Sequence, residues 1–405
     1  MGTIAALKTA RSALRRFVRK RTVLSVSACA AVASMLAIPP DASYAGYFDL
    51  RTLACLFCVL AVAAALRRAG AFTAAARTVV RRFSTSRSAV VALVAATVVL
   101  SMFATNDTAL IMMLPLATAT LVRGGWAHLV PFAFTMMSMG ANLGGMIMPF
   151  GNPQNLYLYS RYGIDLGAFL GTMAVPFAVS MALVFACCFV YLRKRPGCEN
   201  GDDVSAPSTD AAAAKGDGAP ERPAGPRTIA AYAVLFVVVI GSVVRLVPVP
   251  LALALVIVAL ALLDRTALRG VDYALLLTFV CFFVFAGNLA RIPAVDAAVG
   301  GAMSAQPLLT SAGLSQVISN VPAAVLLSHF TDAWQPLLVG VNIGGAGTPV
   351  GSLASLITIQ HFMVVRRHSA IRAARADSVG AFMKLFVGLN VAFLAVLAVA
   401  SAPFV

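Results

Sequence analysis

Gly140-Ala-Asn-Leu-Gly-Gly-Met-Ile-Met-Pro-Phe-Gly-Asn-Pro-Gln-Asn155 is matched, without a gap, by Gly340-Val-Asn-Ile-Gly-Gly-Ala-Gly-Thr-Pro-Val-Gly-Ser-Leu-Ala-Ser355. The pairs Gly140/Gly340, Asn142/Asn342, Gly144/Gly344, Gly145/Gly345, Pro149/Pro349 and Gly151/Gly351 are identical. Glycine, proline and asparagine are poor helix residues, yet both copies lie inside apolar sequence. Duplicated helix breakers in such surroundings point to two discontinuous membrane helices whose breaks meet, the build of a secondary transporter.

Composition sets the class. The chain has 405 residues, of which 60% are hydrophobic and 11% charged. A soluble domain does not hide that much apolar surface, so the chain is expected to be an all-α polytopic membrane protein. The net charge of +16 does not imply a nucleic-acid partner, because the basic residues fall in short clusters between apolar runs. Six of the seven cysteines lie in apolar runs, which argues against a disulfide framework. Residues 1–21 followed by Thr22–Ile38 also fit a signal peptide, but the many later spans favour an uncleaved first helix.

With a cytoplasmic N-terminus at 1–21, spans are expected at 22–39 and 49–66. A hairpin of arms 89–104 and 109–122 follows, with the polar tip Thr105-Asn106-Asp107-Thr108, then a broken helix at 128–160 and a span at 166–192. Residues 193–227 have the composition of a disordered cytoplasmic linker. The second half, 228–404, repeats the plan: spans at 229–247, 249–264 and 272–290, a hairpin at 304–329 with tip Ser319-Asn320-Val321-Pro322, a broken helix at 334–363 and a last span at 379–402. This topology puts 27 Lys and Arg inside and four outside, a strong positive-inside bias. Asp49, Leu53, Cys58, Leu66 and Arg68 recur at Asp272, Leu276, Cys281, Leu289 and Arg291; Ser101, Asn106 and Ala109 recur at Ser315, Asn320 and Ala323. Five crossings separate the copies, so the halves, 22–192 and 228–404, are expected in inverted orientation, each with a re-entrant hairpin and a broken helix.

Of nine asparagines, Asn106, Asn142, Asn152, Asn155, Asn320 and Asn342 sit at a tip or a break. An unpaired polar group in hydrocarbon costs several kcal/mol, so their clustering favours a site over scattered helix contacts. Unwound backbone offers carbonyls to a cation, and the next half-helix offers N–H groups to an anion. Gly140-x-x-x-Gly144 and Gly340-x-x-x-Gly344 also fit plain helix packing. Asp107 is the one acid placed well inside the membrane; it is read as an ion or proton site, a helix cap, or both. There is no Walker P-loop, His-Glu-x-x-His or Gly-x-Ser-x-Gly, which argues against ATP-driven pumping and against an enzyme.

Thr105–Pro115, Gly151-Asn-Pro-Gln-Asn155, Ser319-Asn320-Val-Pro322 and Gly344–Ser355 together resemble the ion transporter superfamily, most closely its citrate-transporter-like and arsenite/anion permeases. The divalent anion:sodium symporters are more distant. The resemblance implies a scaffold domain and a moving transport domain, commonly paired as a homodimer with an elevator motion. The symporters carry Ser-Asn-Thr at each tip; here only Thr105, Asn106, Ser319 and Asn320 match, Asp107 adds an acid, and Val321 removes a hydroxyl.

The expected function is thus secondary transport of a small anion, a carboxylate or oxyanion, across the cell membrane, coupled to Na⁺ or H⁺ and with no other cofactor. The ion side is assigned to Thr105, Asn106, Asp107, Asn142, Gly151, Ser319, Asn342 and Gly351, and the substrate side to Thr108, Asn152, Asn155, Asn320, Ser352 and Ser355. A cation/proton antiporter using Asp107 and a passive anion channel remain as alternatives.

Overall fold

The computed structural model describes residues 21–71, 85–193 and 225–404. The basic N-terminus to residue 20, Arg77, Arg81 and Arg82 between the second expected span and the first hairpin, most of the expected linker and Cys198 lie outside the described residues. Among the described residues every regular element is helical: α1 (Thr22–Ala37), α2 (Leu50–Arg68), α3 (Ser86–Ala104), α4 (Asn106–Arg123), α5 (Val130–Gly144), α6 (Pro153–Arg161), α7 (Leu166–Arg193), α8 (Pro226–Val243), α9 (Val249–Leu263), α10 (Arg265–Arg269), α11 (Tyr273–Ala290), α12 (Pro293–Ala305), α13 (Pro307–Ile318), α14 (Asn320–Leu327), α15 (Trp334–Ile343), α16 (Leu353–Val365), α17 (Ser369–Ala373) and α18 (Val379–Ser401).

Among the described residues, six helical segments are long and apolar enough to cross a membrane: α2, α3, α7, α8, α11 and α18 with its C-terminal extension. The outer ones keep apolar residues on the surface; Val237 of α8, Leu277 of α11 and Val399 of α18 are 67%, 54% and 77% exposed. So much exposed hydrocarbon is stable only against lipid tails. The interior is organised around α5 and α15. α5 buries every residue except Pro131, and α15 buries Pro336 through Ile343. α3, α4, α7, α16 and α18 surround α5; α13, α14, α6 and α18 surround α15.

Both breaks are present. α5 gives way to a 3-10 turn at Gly145–Ile147 and then to irregular backbone before α6; α15 stops at Ile343 and α16 starts only at Leu353. The tips differ from the sequence expectation. Each is one residue rather than four, because Asn106-Asp107-Thr108 and Asn320-Val321-Pro322 form the first turns of α4 and α14. The reversal falls on Thr105 (φ 64°, ψ 149°) and Ser319 (φ 75°, ψ 155°). A further helix, α12, precedes the second hairpin, where no element was expected.

Equivalent residues are placed equivalently. Thr105 and Ser319, both in the positive-φ region, are 214 residues apart. A Cβ on Gly144 would stand 3.0 Å from Ser101 Oγ, and one on Gly344 2.8 Å from Ser315 Cβ, so the same close approach joins each broken helix to its hairpin. Asp49 caps α2 by accepting from Thr52 N at 2.9 Å, and Asp272, 223 residues on, caps α11 by accepting from Leu275 N at 3.3 Å. α1 packs on α11 while α9 packs on α2. Two salt bridges follow the same exchange: Arg68 to Asp264 at 3.2 Å and Arg291 to Asp41 at 2.7 Å, each arginine and each aspartate 223 residues from its counterpart.

Candidate functional site

The breaks start alike. Gly151 N donates to Met148 O at 3.1 Å and Gly351 N to Thr348 O at 3.0 Å. Asn152 and Ser352 then follow in extended conformation as the N-cap residues of α6 and α16. Proline at the first position of α6 is compatible with a helix start, where its missing N–H is no loss. Ser352 Oγ accepts from Ser355 N at 3.2 Å and lies 3.1 Å from Ser355 Oγ, so this expected pair forms a cap.

The asparagines join the two breaks. Asn342 donates to Asn155 Oδ1 at 2.6 Å and to Leu338 O at 2.8 Å. Asn342 Oδ1 accepts from Asn152 at 3.4 Å and from Gln154 at 3.2 Å. Asn152 also donates to Asn142 O at 3.2 Å, and Asn142 Oδ1 accepts from Asn106 at the first tip at 3.5 Å. A Cβ on Gly345 would lie 2.2 Å from Asn142 Nδ2, which puts the first asparagine against the second break. Asn106, Asn142, Asn152, Asn155 and Asn342 are therefore one buried network. Asn320 is anchored separately, its backbone N–H donating to Gly351 O at 3.0 Å, with Ser319 Oγ 3.5 Å from the same oxygen. Thr105 and Thr108 bond to each other at 3.2 Å, beside Asp107.

The network is incomplete where it counts. Eight buried side-chain polar atoms make no hydrogen bond among the described residues, and four lie here: Asp107 Oδ1, Asn152 Oδ1, Gln154 Oε1 and Asn320 Nδ2. An orphan of this kind costs about 1–3 kcal/mol, and half of the eight fall on the two tips and the first break. Three are acceptors, suited to a cation or a proton; the fourth is a donor, suited to an anion.

Two participants were not singled out from the sequence. Gln154 stands where the second copy has Ala354, and it reaches Asn342. Gln316 stands where the first copy has Met102; its amide donates to Gly344 O at 2.7 Å and accepts from Thr348 N at 2.8 Å, bracing the second break. The repeat carried the signal in reverse: each is a polar residue that the copies do not share.

Comparison with known proteins agrees with this architecture. The model of the citrate transporter family matches residues 13–339. The inner membrane protein YbiR of Escherichia coli is 32% identical over 329 residues, covering 78% of this chain and 81% of that protein. An uncharacterized transporter of Methanocaldococcus jannaschii is 31% identical over 280 residues, covering 68% of this chain and 71% of its own. Helices with lipid-compatible surfaces, paired breaks and a family match over most of the length lead to one assignment: the chain belongs to the citrate transporter family, whose members are membrane transporters and not enzymes.

Proposed function

We propose that the protein is a secondary active transporter of a small carboxylate or oxyanion, citrate being the first candidate from its family, driven by Na⁺ or H⁺. The single observation that carries this is the amide network joining the breaks, with unpartnered acceptors in the network and at the first tip and an unpartnered donor at the second tip. Asp107, Asn152 and Gln154 offer oxygens to a cation or proton. Asn320 and the first turns of α6 and α16 offer donors to an anion. The halves 22–192 and 228–404 are inverted copies, with the N-terminus cytoplasmic and the two hairpins re-entering the bilayer so that their tips meet the breaks near its midplane. What supports this is the positive-inside charge distribution and the equivalent placement of residues at constant offsets. Residence in the inner membrane follows the bacterial relative. Transport by an elevator motion of hairpins and breaks against the outer helices, in a homodimer, belongs to the same reading.

The test is citrate uptake into proteoliposomes with sodium and pH gradients imposed separately. Accumulation against the citrate gradient under one of them is expected. Flux that never exceeds equilibrium identifies a channel instead. Asp107→Asn separates the antiporter alternative: ion exchange that is lost in the variant and never moves an anion in the wild type favours exchange.

A further inference from the structure

Away from the amide network, one small cavity, of about 80 Å³, lies where the first tip meets the end of α2. Thr105, Asp107 and Thr108 of the tip, Pro153 at the start of α6, Asp272 at the cap of α11 and Arg67 in the last turn of α2 share its wall. The charges around it are unevenly matched. Asp272 pairs with Arg21 at 3.1 Å and accepts from Leu275 N; Arg68 pairs with Asp264 at 3.2 Å. Arg67 is partly buried, and its guanidinium makes no hydrogen bond or ion pair among the described residues, to Asp107 or to any other group. An arginine at the end of a membrane helix ordinarily snorkels toward the head-groups. Arg67 instead lines a cavity inside the protein, facing the tip.

We propose that Arg67 is an anion-binding residue: it holds the carboxylate or oxyanion group of the substrate in this cavity, between the amide network and the face of the membrane at which α2 ends. The inference rests on the reading of the chain as an anion transporter. The guanidinium presents the planar donor fork that fits two oxygens of such a group, and the Thr108 hydroxyl, which accepts from Thr105, supplies a further donor. The first turn of α6, with Pro153, adds its partial positive charge. Asp107 sets the order of events. An ionised carboxylate against a bound anion is repulsive, and Asp272 is already offset by Arg21. The cavity therefore takes the anion once Asp107 holds its coupling cation or proton, and this makes Arg67 a contact that the loaded tip recruits.

Arg67→Gln and Arg67→Lys in the full chain test this, with Asn152→Ala as a variant of the amide network. The readouts are thermal unfolding of the purified proteins with citrate and, separately, inorganic phosphate, and the citrate KM in right-side-out and inside-out membrane vesicles. Arg67→Gln is expected to unfold at the wild-type temperature without ligand. Its KM should rise about ten-fold or more from the α2-end face, the loss of one charge-assisted bidentate contact, and stay near wild type from the other. Arg67→Lys, which restores the charge but not the fork, should recover part of that loss, and Asn152→Ala should impair uptake from both faces. An Arg67→Gln KM equal to wild type, a rise shared by both faces, or an Arg67→Lys variant as poor as Arg67→Gln overturns the proposal while leaving anion transport standing. A wild-type protein neither stabilised by nor transporting either anion overturns both.

Discussion

Asn342 donates its side-chain amide to Asn155 Oδ1 at 2.6 Å, so the last turn of helix ahead of the second break holds the first turn beyond the other. Neither break is complete alone. Asn342→Ala strips a partner from Asn155, Asn152 and Gln154 together. A single interhelical hydrogen bond in a membrane protein is worth about 0.6 kcal/mol, but three stranded buried groups raise the expected loss to about 2–3 kcal/mol. Thermal unfolding in detergent should show it, and citrate uptake should fall to background. Uptake and stability like wild type would remove the network from the mechanism.

Gln316 makes the second break a different object from the first. Gln316→Ala releases Gly344 O and Thr348 N, and the expected result is faster amide exchange over residues 344–352 with little change over 144–152. Gln316→Met, which copies the first half, should behave the same way. Equal protection of residues 344–352 in wild type and both variants would mean that the glutamine braces nothing.

Thr105 and Ser319 hold a backbone region that side chains avoid, at a cost of about 1–3 kcal/mol each. Alanine and glycine both delete the hydroxyl, but only glycine relieves the backbone. Ser319→Gly should therefore be more stable than Ser319→Ala by about 1 kcal/mol, and Thr105 should give the same sign. The comparison is made by thermal unfolding; alanine variants as stable as glycine ones would show that the turns carry no strain.

What was legible in the sequence was whatever a residue announces by being out of place. Gly144, Pro149 and Gly151 interrupt an apolar run, and the break is where they are. Asn106 and Asn320 are polar in hydrocarbon, and each begins the returning arm of a hairpin. The tips were expected to be four residues long because a polar run resembles a loop; one residue at positive φ suffices when the next polar side chains open a helix. Gln154 and Gln316 escaped because their partners are backbone and side-chain atoms 28 to 188 residues away, and nothing local predicts those. Arg67 and Arg68 are neighbours of the same type in the sequence, and only the packed helices show that one pairs and the other lines a cavity.

The exchanged salt bridges give a prediction of their own. Arg68 and Asp264 are 42% and 20% exposed, so the pair contributes at most about 1 kcal/mol. Arg68→Asp or Asp264→Arg alone should destabilise modestly, and the double exchange should recover most of the loss. At the other bridge, the hydrogen bond from Arg291 holds the Asp41 carboxyl below the usual range. A folded-state value below the unfolded one stabilises above about pH 4 and is lost as pH falls through the folded value. Arg291→Gln should lower stability modestly at neutral pH, flatten the acid limb of the profile, and converge on wild type at the pH where Asp41 is protonated in both. An acid limb identical to wild type would show that this bridge contributes nothing.

Arg68 meets Asp264 and Arg291 meets Asp41, the same two positions read once in each direction. An interface in which position i touches j and j touches i is the interface of a two-fold dimer of identical subunits. A half-length chain carrying one such arginine and one such aspartate would form both bonds on pairing with a second copy about a two-fold axis. Two copies carried in one chain are free to differ where two separate identical subunits are not, and Gln154 against Ala354 and Gln316 against Met102 are such differences.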